Sequence, residues 1–128
     1  MNRTTRNIIA VLLTGVWVNA SEFFRNEILL KNYWSDHYRS LGLTFPSEPL
    51  NGIVWILWGF LFATAMYGIS RKFDLVQTTL ISWFMAFVLM WIVAWNLLIL
   101  PPAILVYAVP LSLLDSFIGS LICMKISR

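Results

Sequence analysis

The stretch that decides the fold of this chain is PLNGIVWILWGFLFATAMYGIS, residues 49–70, which carries no charged side chain. A helix of this length rises roughly 33 Å at about 1.5 Å per residue, enough to cross the hydrocarbon core of a bilayer. Within it, Gly59 and Ala63 have the small-xxx-small spacing that lets two helix backbones approach closely. The stretch therefore predicts a membrane-spanning helix that packs against another helix.

Two more apolar segments follow this span toward the C-terminus. Residues 75–114 contain no charge, and such a run is too long for one span. Pro101-Pro102 divides it, since proline cannot continue a helix interior. The predicted third and fourth spans are about residues 75–99 and 103–124.

A shorter apolar run precedes the second span. Its charge-free part, residues 7–21, is short for a span, so the predicted helix is extended through Phe23 and Phe24 to cover about residues 8–30. The alternative is a cleaved signal segment, because residues 18–20 imitate a signal-peptidase site after a basic leader.

The long connection between the first two spans covers about residues 25–50. Its tyrosines and tryptophan recur at near-helical spacing, which predicts an amphipathic helix on the membrane surface or an ordered loop. Gly42 is the expected end of this helix. Pro46 and Pro49 then turn the chain into the second span.

Composition supports this class of protein. Of 128 residues, 59% are hydrophobic and only 12% are charged, which departs from soluble usage in the direction of a membrane protein. The prediction is an all-α integral membrane protein with four transmembrane helices in an up-down bundle, forming a single domain over residues 1–128. Its basic residues are scattered between apolar runs, which excludes nucleic acid as an expected partner.

The first span carries a narrow polar stripe. Gly15, Asn19, Glu22 and Asn26 fall within roughly 60° of one another on a helix. Such a stripe should face protein rather than lipid. Arg25 lies one turn from Glu22, so an ordinary ion pair at the membrane interface is the alternative to a functional role for Glu22.

The fourth span places an acid near mid-membrane. Asp115 is flanked on one helix face by Ser112 and Ser116, and an ionisable residue at such depth is a functional-site hypothesis by default. Asn19 has a similar depth in the first span, so we expect it to meet Asp115 between the first and fourth spans. A purely structural acid, tied to hydroxyl and amide groups, is the alternative.

Other polar residues give weaker predictions. In the third span, helical spacing predicts one shared face for Ser82, Ala86, Leu89, Val93 and Asn96. Asn96 lies near the outer end of this span, where an asparagine can also be a cap. His37 in the outer connection has no second imidazole to form a metal site, and no metal is predicted.

Orientation follows from the basic residues, which are enriched on the cytoplasmic side of membrane proteins. Six lie on one side of the predicted spans and three on the other: Arg3, Arg6, Arg71, Lys72, Lys125 and Arg128, against Arg25, Lys31 and Arg39. The expected location is the inner (plasma) membrane with both termini in the cytoplasm.

These observations favour binding or translocation of a small molecule or proton through a polar seam between the first and fourth spans. The candidate residues of this pathway are Asn19, Glu22, Asn96, Ser112, Asp115 and Ser116. The alternative is a non-catalytic membrane subunit or scaffold that docks a partner through its outer loop. No motif for catalysis or for a cofactor is present. The partners compatible with this design are the lipid bilayer, a small-molecule or lipid ligand, and a second copy or another membrane protein.

Overall fold

The computed structural model describes residues 1–128, which form helices and connecting turns without any β-strand. The α-helices are α1 (Arg3–Phe23), α2 (Lys31–Ser40), α3 (Pro49–Ser70), α4 (Leu75–Trp83), α5 (Leu89–Asn96) and α6 (Leu105–Ser127). Two π-helical segments, Phe24–Leu29 and Phe84–Val88, continue α1 and join α4 to α5, and a 3₁₀ turn at Pro102–Ile104 precedes α6.

Four continuous helices are long and apolar enough to cross a membrane, as predicted. We call them the first (Arg3–Leu29), second (Pro49–Ser70), third (Leu75–Asn96) and fourth (Pro102–Ser127) long helices. Large apolar side chains are exposed on all four, which is the surface expected of helices that face lipid.

Three ends differ from the predicted spans, and one of them is the end of the fourth long helix, at Ser127 rather than at about residue 124. The first long helix begins before residue 8, because Asn2 caps it by accepting a hydrogen bond from the Thr5 amide at 2.8 Å. The third ends at Asn96 rather than at residue 99. Leu98 has φ = 64°, a left-handed conformation that terminates a right-handed helix.

The other helix boundaries have ordinary causes. Gly42 adopts φ = 74° directly after α2, which confirms the predicted end of this helix near Gly42. At the start of α4, Asp74 Oδ1 accepts a hydrogen bond from the backbone N–H of Gln77 at 2.8 Å. In return, Gln77 Oε1 accepts one from the backbone N–H of Asp74 at 3.2 Å. This reciprocal pair is a capping box.

The π-helical segment Phe84–Val88 changes which face of the third long helix is buried. Each π turn holds about one residue more than an α turn, so the residues that follow are rotated around the helix axis. Phe87 and Trp91 are therefore buried, whereas Leu89 and Asn96 of the predicted face are exposed. The face predicted from uniform α-helical spacing is wrong beyond Ala86.

The long helices pack around a common apolar core. α1 contacts α3 and α6, while α6 also contacts α3 and α4. The core contains Val18, Leu30, Phe62, Met66, Phe87, Trp91, Leu100, Ile104 and Ala108. Gly59 and Ala63 are both buried on α3. The absence of a side chain at Gly59 makes room for Asn19, since a Cβ there would lie 2.6 Å from the Asn19 amide nitrogen.

The short helix α2 packs over the turn between the third and fourth long helices. His37 Nε2 lies 2.8 Å from the Leu98 carbonyl oxygen, and the Tyr33 and Tyr107 rings are 6.2 Å apart. The rings of Tyr38 and Phe45 meet edge to face at 5.0 Å. The connection between the first and second long helices is thus an ordered element that closes one end of the helices.

Candidate functional site

A buried ion pair joins Glu22 and Arg25 at the end of α1. Arg25 Nη2 donates to Glu22 Oε2 at 2.5 Å, and the two side chains are only 9% and 6% exposed. The pairing matches the sequence-based alternative, but the pair lies inside the protein rather than at its surface. Burial makes it costly to break, because removal of one partner leaves an uncompensated charge in a medium of low dielectric constant.

Arg25 lies in the π-helical segment Phe24–Leu29 and continues the buried face of α1. Val18, Glu22 and Arg25 are buried at α-helical spacing, while Phe23 and Phe24 between them remain exposed. Its guanidinium carbon lies 5.0 Å from the centre of the Phe87 ring, a cation–π contact. Phe87 belongs to the other π-helical segment, so the two irregular turns meet at Arg25.

Asp115 completes a cluster with this ion pair. It is 1% exposed on α6, and its carboxyl group lies near the Glu22–Arg25 ion pair. Neither carboxyl oxygen of Asp115 has a hydrogen-bond partner. On the backbone, the Asp115 carbonyl accepts from Trp17 Nε1 at 3.0 Å.

The charges of this cluster do not cancel when both carboxyl groups are ionised. Two carboxylates and one guanidinium then carry a net charge of −1, whereas a single proton on the carboxyl pair makes the cluster neutral. A net charge is expensive in a buried site. Chemically, a cluster of two carboxyl groups and one fixed cation is neutral when it holds one proton.

The serines on either side of Asp115 differ in their bonding. Ser112 accepts a hydrogen bond from Trp83 Nε1 at 2.9 Å and donates to the Val109 carbonyl at 3.1 Å. Its hydroxyl therefore holds α4 against α6. The Ser116 hydroxyl is fully buried without a partner, so it retains unused hydrogen-bonding capacity beside Asp115.

More unpartnered hydroxyl groups continue toward the C-terminal end of α6. Ser120 on α6 and Thr14 on α1 are both fully buried, and neither side-chain oxygen has a hydrogen-bond partner. Since α1 and α6 pack against each other, these groups extend the polar surface between the two helices beyond Ser116.

Two of the predicted site residues lie outside the cluster of Glu22, Arg25 and Asp115. Asn19 faces α3, where its amide donates to the Gly15 carbonyl at 2.9 Å and to the Ile56 carbonyl at 3.4 Å. It does not hydrogen-bond Asp115, and packing against α3 replaces the predicted contact. Asn96 is exposed at the end of α5 and is not brought to the cluster.

A polar pocket adjoins the cluster on the side of Glu22. Its volume is about 630 Å³, and it lies between the end of the first long helix, residues 45–49 and the start of α3. Its polar side chains include Asn19, Glu22, Asn26, Glu27, Glu48 and Asn51. We call this cavity the acidic pocket.

Sequence reasoning did not predict the acidic pocket. Glu27, Glu48, Asn26 and Asn51 flank the ends of the first two predicted spans, where polar residues are ordinary. The available signal was that these two spans, joined by one connection, place four polar side chains at the same end.

A second cavity of about 210 Å³ lies beside the acidic pocket and is mostly apolar. Arg25, Trp34, Trp91 and Ile104 are among its lining residues. Asn26, Glu27, Phe45 and Trp55 line both cavities. Of the two residues of the ion pair, Glu22 lines the acidic pocket and Arg25 lines the apolar cavity.

Comparison with protein-family models, with curated proteins and with solved structures gives no match to this chain. Its function is therefore inferred from the geometry of the cluster and of the acidic pocket.

Proposed function

We propose that the four long helices cross a membrane as an up-down bundle with both termini in the cytoplasm. Their lengths and apolar surfaces support insertion. The excess of basic residues on the side of the termini supports the orientation. In this arrangement the acidic pocket opens toward the outer face, and Asp115 lies near the middle of the membrane.

In this membrane arrangement, we propose that the protein binds a small polar ligand in the acidic pocket. Binding of the ligand is coupled to release of a proton held by Glu22 and Asp115. The observation that carries the proposal is the pairing of two buried carboxyl groups with a single guanidinium, one of those carboxyl groups also lining a pocket. An intramembrane cluster of this kind is expected at a ligand or proton pathway.

The coupling follows from electroneutrality. Before a ligand enters, one proton on the Glu22–Asp115 pair balances the cluster. A ligand that brings positive charge or hydrogen-bond donors to Glu22 stabilises its carboxylate and reduces the need for that proton. Ligand and proton then compete for the same carboxyl pair, and Ser116 is the adjacent hydroxyl on the route between α1 and α6.

The test is infrared difference spectroscopy of the purified protein in nanodiscs at neutral pH. We expect a band from a protonated carboxyl group in the wild-type protein and its loss in both Glu22→Gln and Asp115→Asn. Each amide replacement removes one acid and leaves the remaining carboxylate balanced by Arg25. Asp36→Asn is the control, since Asp36 is an exposed acid on α2.

Two results would contradict the proposed proton site. One is a wild-type spectrum without any protonated carboxyl group, and the other is a band that persists unchanged in both variants. The second result would favour the alternative of a non-catalytic membrane subunit, in which the cluster only holds α1 against α6.

A further inference from the structure

We propose that the ligand of the acidic pocket is a small organic cation, such as an amine or a guanidinium compound. This inference rests on the proposed ligand-binding function and specifies the chemical class of the ligand.

The charges lining the acidic pocket are all negative. Glu22, Glu27 and Glu48 line it, and no lysine, arginine or histidine does. Only Glu22 has a salt-bridge partner, because the protein's other ion pair joins Arg39 to Asp36 on α2. An anionic ligand would meet three carboxylates without a cation of the pocket to balance them, whereas a cation meets charge of the opposite sign.

Glu22 supplies a second, independent indication of a ligand. It is 8% exposed, and its Oε2 accepts from both Arg25 and Asn26. Its other oxygen, Oε1, is buried without any hydrogen-bond partner. A carboxylate oxygen without a partner is a strong acceptor for a charged N–H donor, and Glu22 is one of the residues that line the pocket.

Neutral groups in the pocket suit the same class of ligand. Asn19 and Asn26 present amide oxygens that can accept hydrogen bonds from an ammonium or guanidinium group. Trp55 and Phe45 provide aromatic faces, which attract cations through the ring quadrupole. The acidic pocket therefore offers carboxylates, amide carbonyls and aromatic rings to one ligand.

The spacing of the acids favours an organic cation over a metal ion. No three His, Cys, Asp or Glu side chains in the protein are close enough together to hold a metal ion. Divalent cations such as Ca²⁺ need several oxygen ligands converging at about 2.3 to 2.6 Å. A volume of about 630 Å³ instead fits a small organic ligand whose donors reach separate carboxylates.

The experiment is isothermal titration calorimetry on the full chain in nanodiscs made of zwitterionic lipid. The cationic probes are agmatine and tetraethylammonium, and the matched probes without positive charge are butanediol and succinate. We expect binding of the cations only, with an affinity that falls as salt is raised, because part of the attraction comes from exposed carboxylates.

Variants of the two exposed acids test the site and leave the buried ion pair intact. Glu27→Gln and Glu48→Gln should each weaken the binding of agmatine about tenfold, through loss of one charged contact. Asp36→Asn, which changes an acid outside the pocket, should leave the affinity unchanged. Equal losses in all three variants would indicate a general effect of charge and would overturn the inference.

The outcomes separate this inference from the proposed function. Binding of butanediol or succinate in preference to the cations would overturn the ligand class, while the pocket would remain a binding site. Absence of binding by both cations, together with a protonated carboxyl band that Asp115→Asn removes, would overturn the cation inference and leave the proton site in place. Absence of both the binding and the band would refute both proposals.

Discussion

At the scale of single residues, Arg25 provides the positive charge beside the buried carboxyl groups of Glu22 and Asp115. The same guanidinium that neutralises these groups lies over the Phe87 ring. The guanidinium forms an ion pair and a cation–π contact in the same apolar surroundings, and both are stronger there than at a surface.

This position gives a prediction for stability. Arg25→Gln should lower the free energy of unfolding by about 3 to 5 kcal/mol, because it leaves buried carboxyl charge uncompensated. The double variant Glu22→Gln, Arg25→Gln should recover a large part of this loss, since the unpaired charge is then gone. Unfolding of the detergent-solubilised protein, followed by circular dichroism, measures both.

The chain supplies its own control for this comparison. Arg39 and Asp36 also form an i, i+3 pair, at 3.3 Å, but their side chains are 78% and 67% exposed. Arg39→Gln should therefore cost only about 0 to 1 kcal/mol. An Arg25→Gln variant no less stable than Arg39→Gln would show that the buried pair contributes nothing beyond an ordinary surface pair.

At the scale of helices, the contact between α1 and α3 depends on Gly59. A Cβ at this position would lie 2.6 Å from the Asn19 amide nitrogen and 2.7 Å from its side-chain oxygen. Gly59→Ala should therefore displace Asn19 and destabilise the protein by about 1 to 3 kcal/mol, which is typical of overpacking. The thermal unfolding midpoint in detergent is the measurement.

Gly68→Ala is the matched control on the same helix. Nothing lies within 4 Å of a Cβ built at Gly68, so alanine should be neutral or should stabilise α3 by up to about 1 kcal/mol through its higher helix propensity. If the two alanine variants unfold at the same temperature, the close approach at Gly59 is not a determinant of packing.

The predictability of each helix depended on its regularity. On α6, small and polar residues repeat at α-helical spacing, and the predicted buried positions Ser112, Asp115 and Ser116 are all buried. On the third long helix the same reasoning failed beyond Ala86, because the π turn inserts a residue that periodicity does not reveal. The sequence likewise indicated the pairing of Glu22 with Arg25, but placed the pair at the membrane interface rather than inside the protein.

The acidic pocket could not be derived from helix patterns for a different reason. Glu27 and Glu48 are far apart in sequence, and each is exposed next to the end of a long helix. Taken singly, such acids are typical of solvated helix ends. Their proximity is a property of how residues 45–49 return over the first long helix, and no periodic signal specifies that path.

At the scale of the whole molecule, the proposed mechanism requires a defined orientation, because a ligand and a proton must reach the cluster from stated sides. Basic residues resist translocation, and the side with more of them near the helix ends is generally cytoplasmic. The connection between α3 and α4 contains Arg71 and Lys72, whereas α2 lies on the side with fewer basic residues. We therefore expect α2 to face outward.

Cysteine labelling in intact cells tests this orientation. The natural Cys123 is buried, and its replacement by serine gives a background free of reactive thiols. On that background, Ser40→Cys at the end of α2 should react with a membrane-impermeant maleimide, because Ser40 is exposed and the proposed orientation places α2 outside. Lys72→Cys is equally exposed in the structure but should react only after the cells are permeabilised. Labelling of both variants from outside would exclude the four-span topology.

Labelling of Lys72→Cys alone would show that the protein has the opposite orientation. An inverted protein would open its acidic pocket to the cytoplasm, so the same experiment decides from which side the ligand enters.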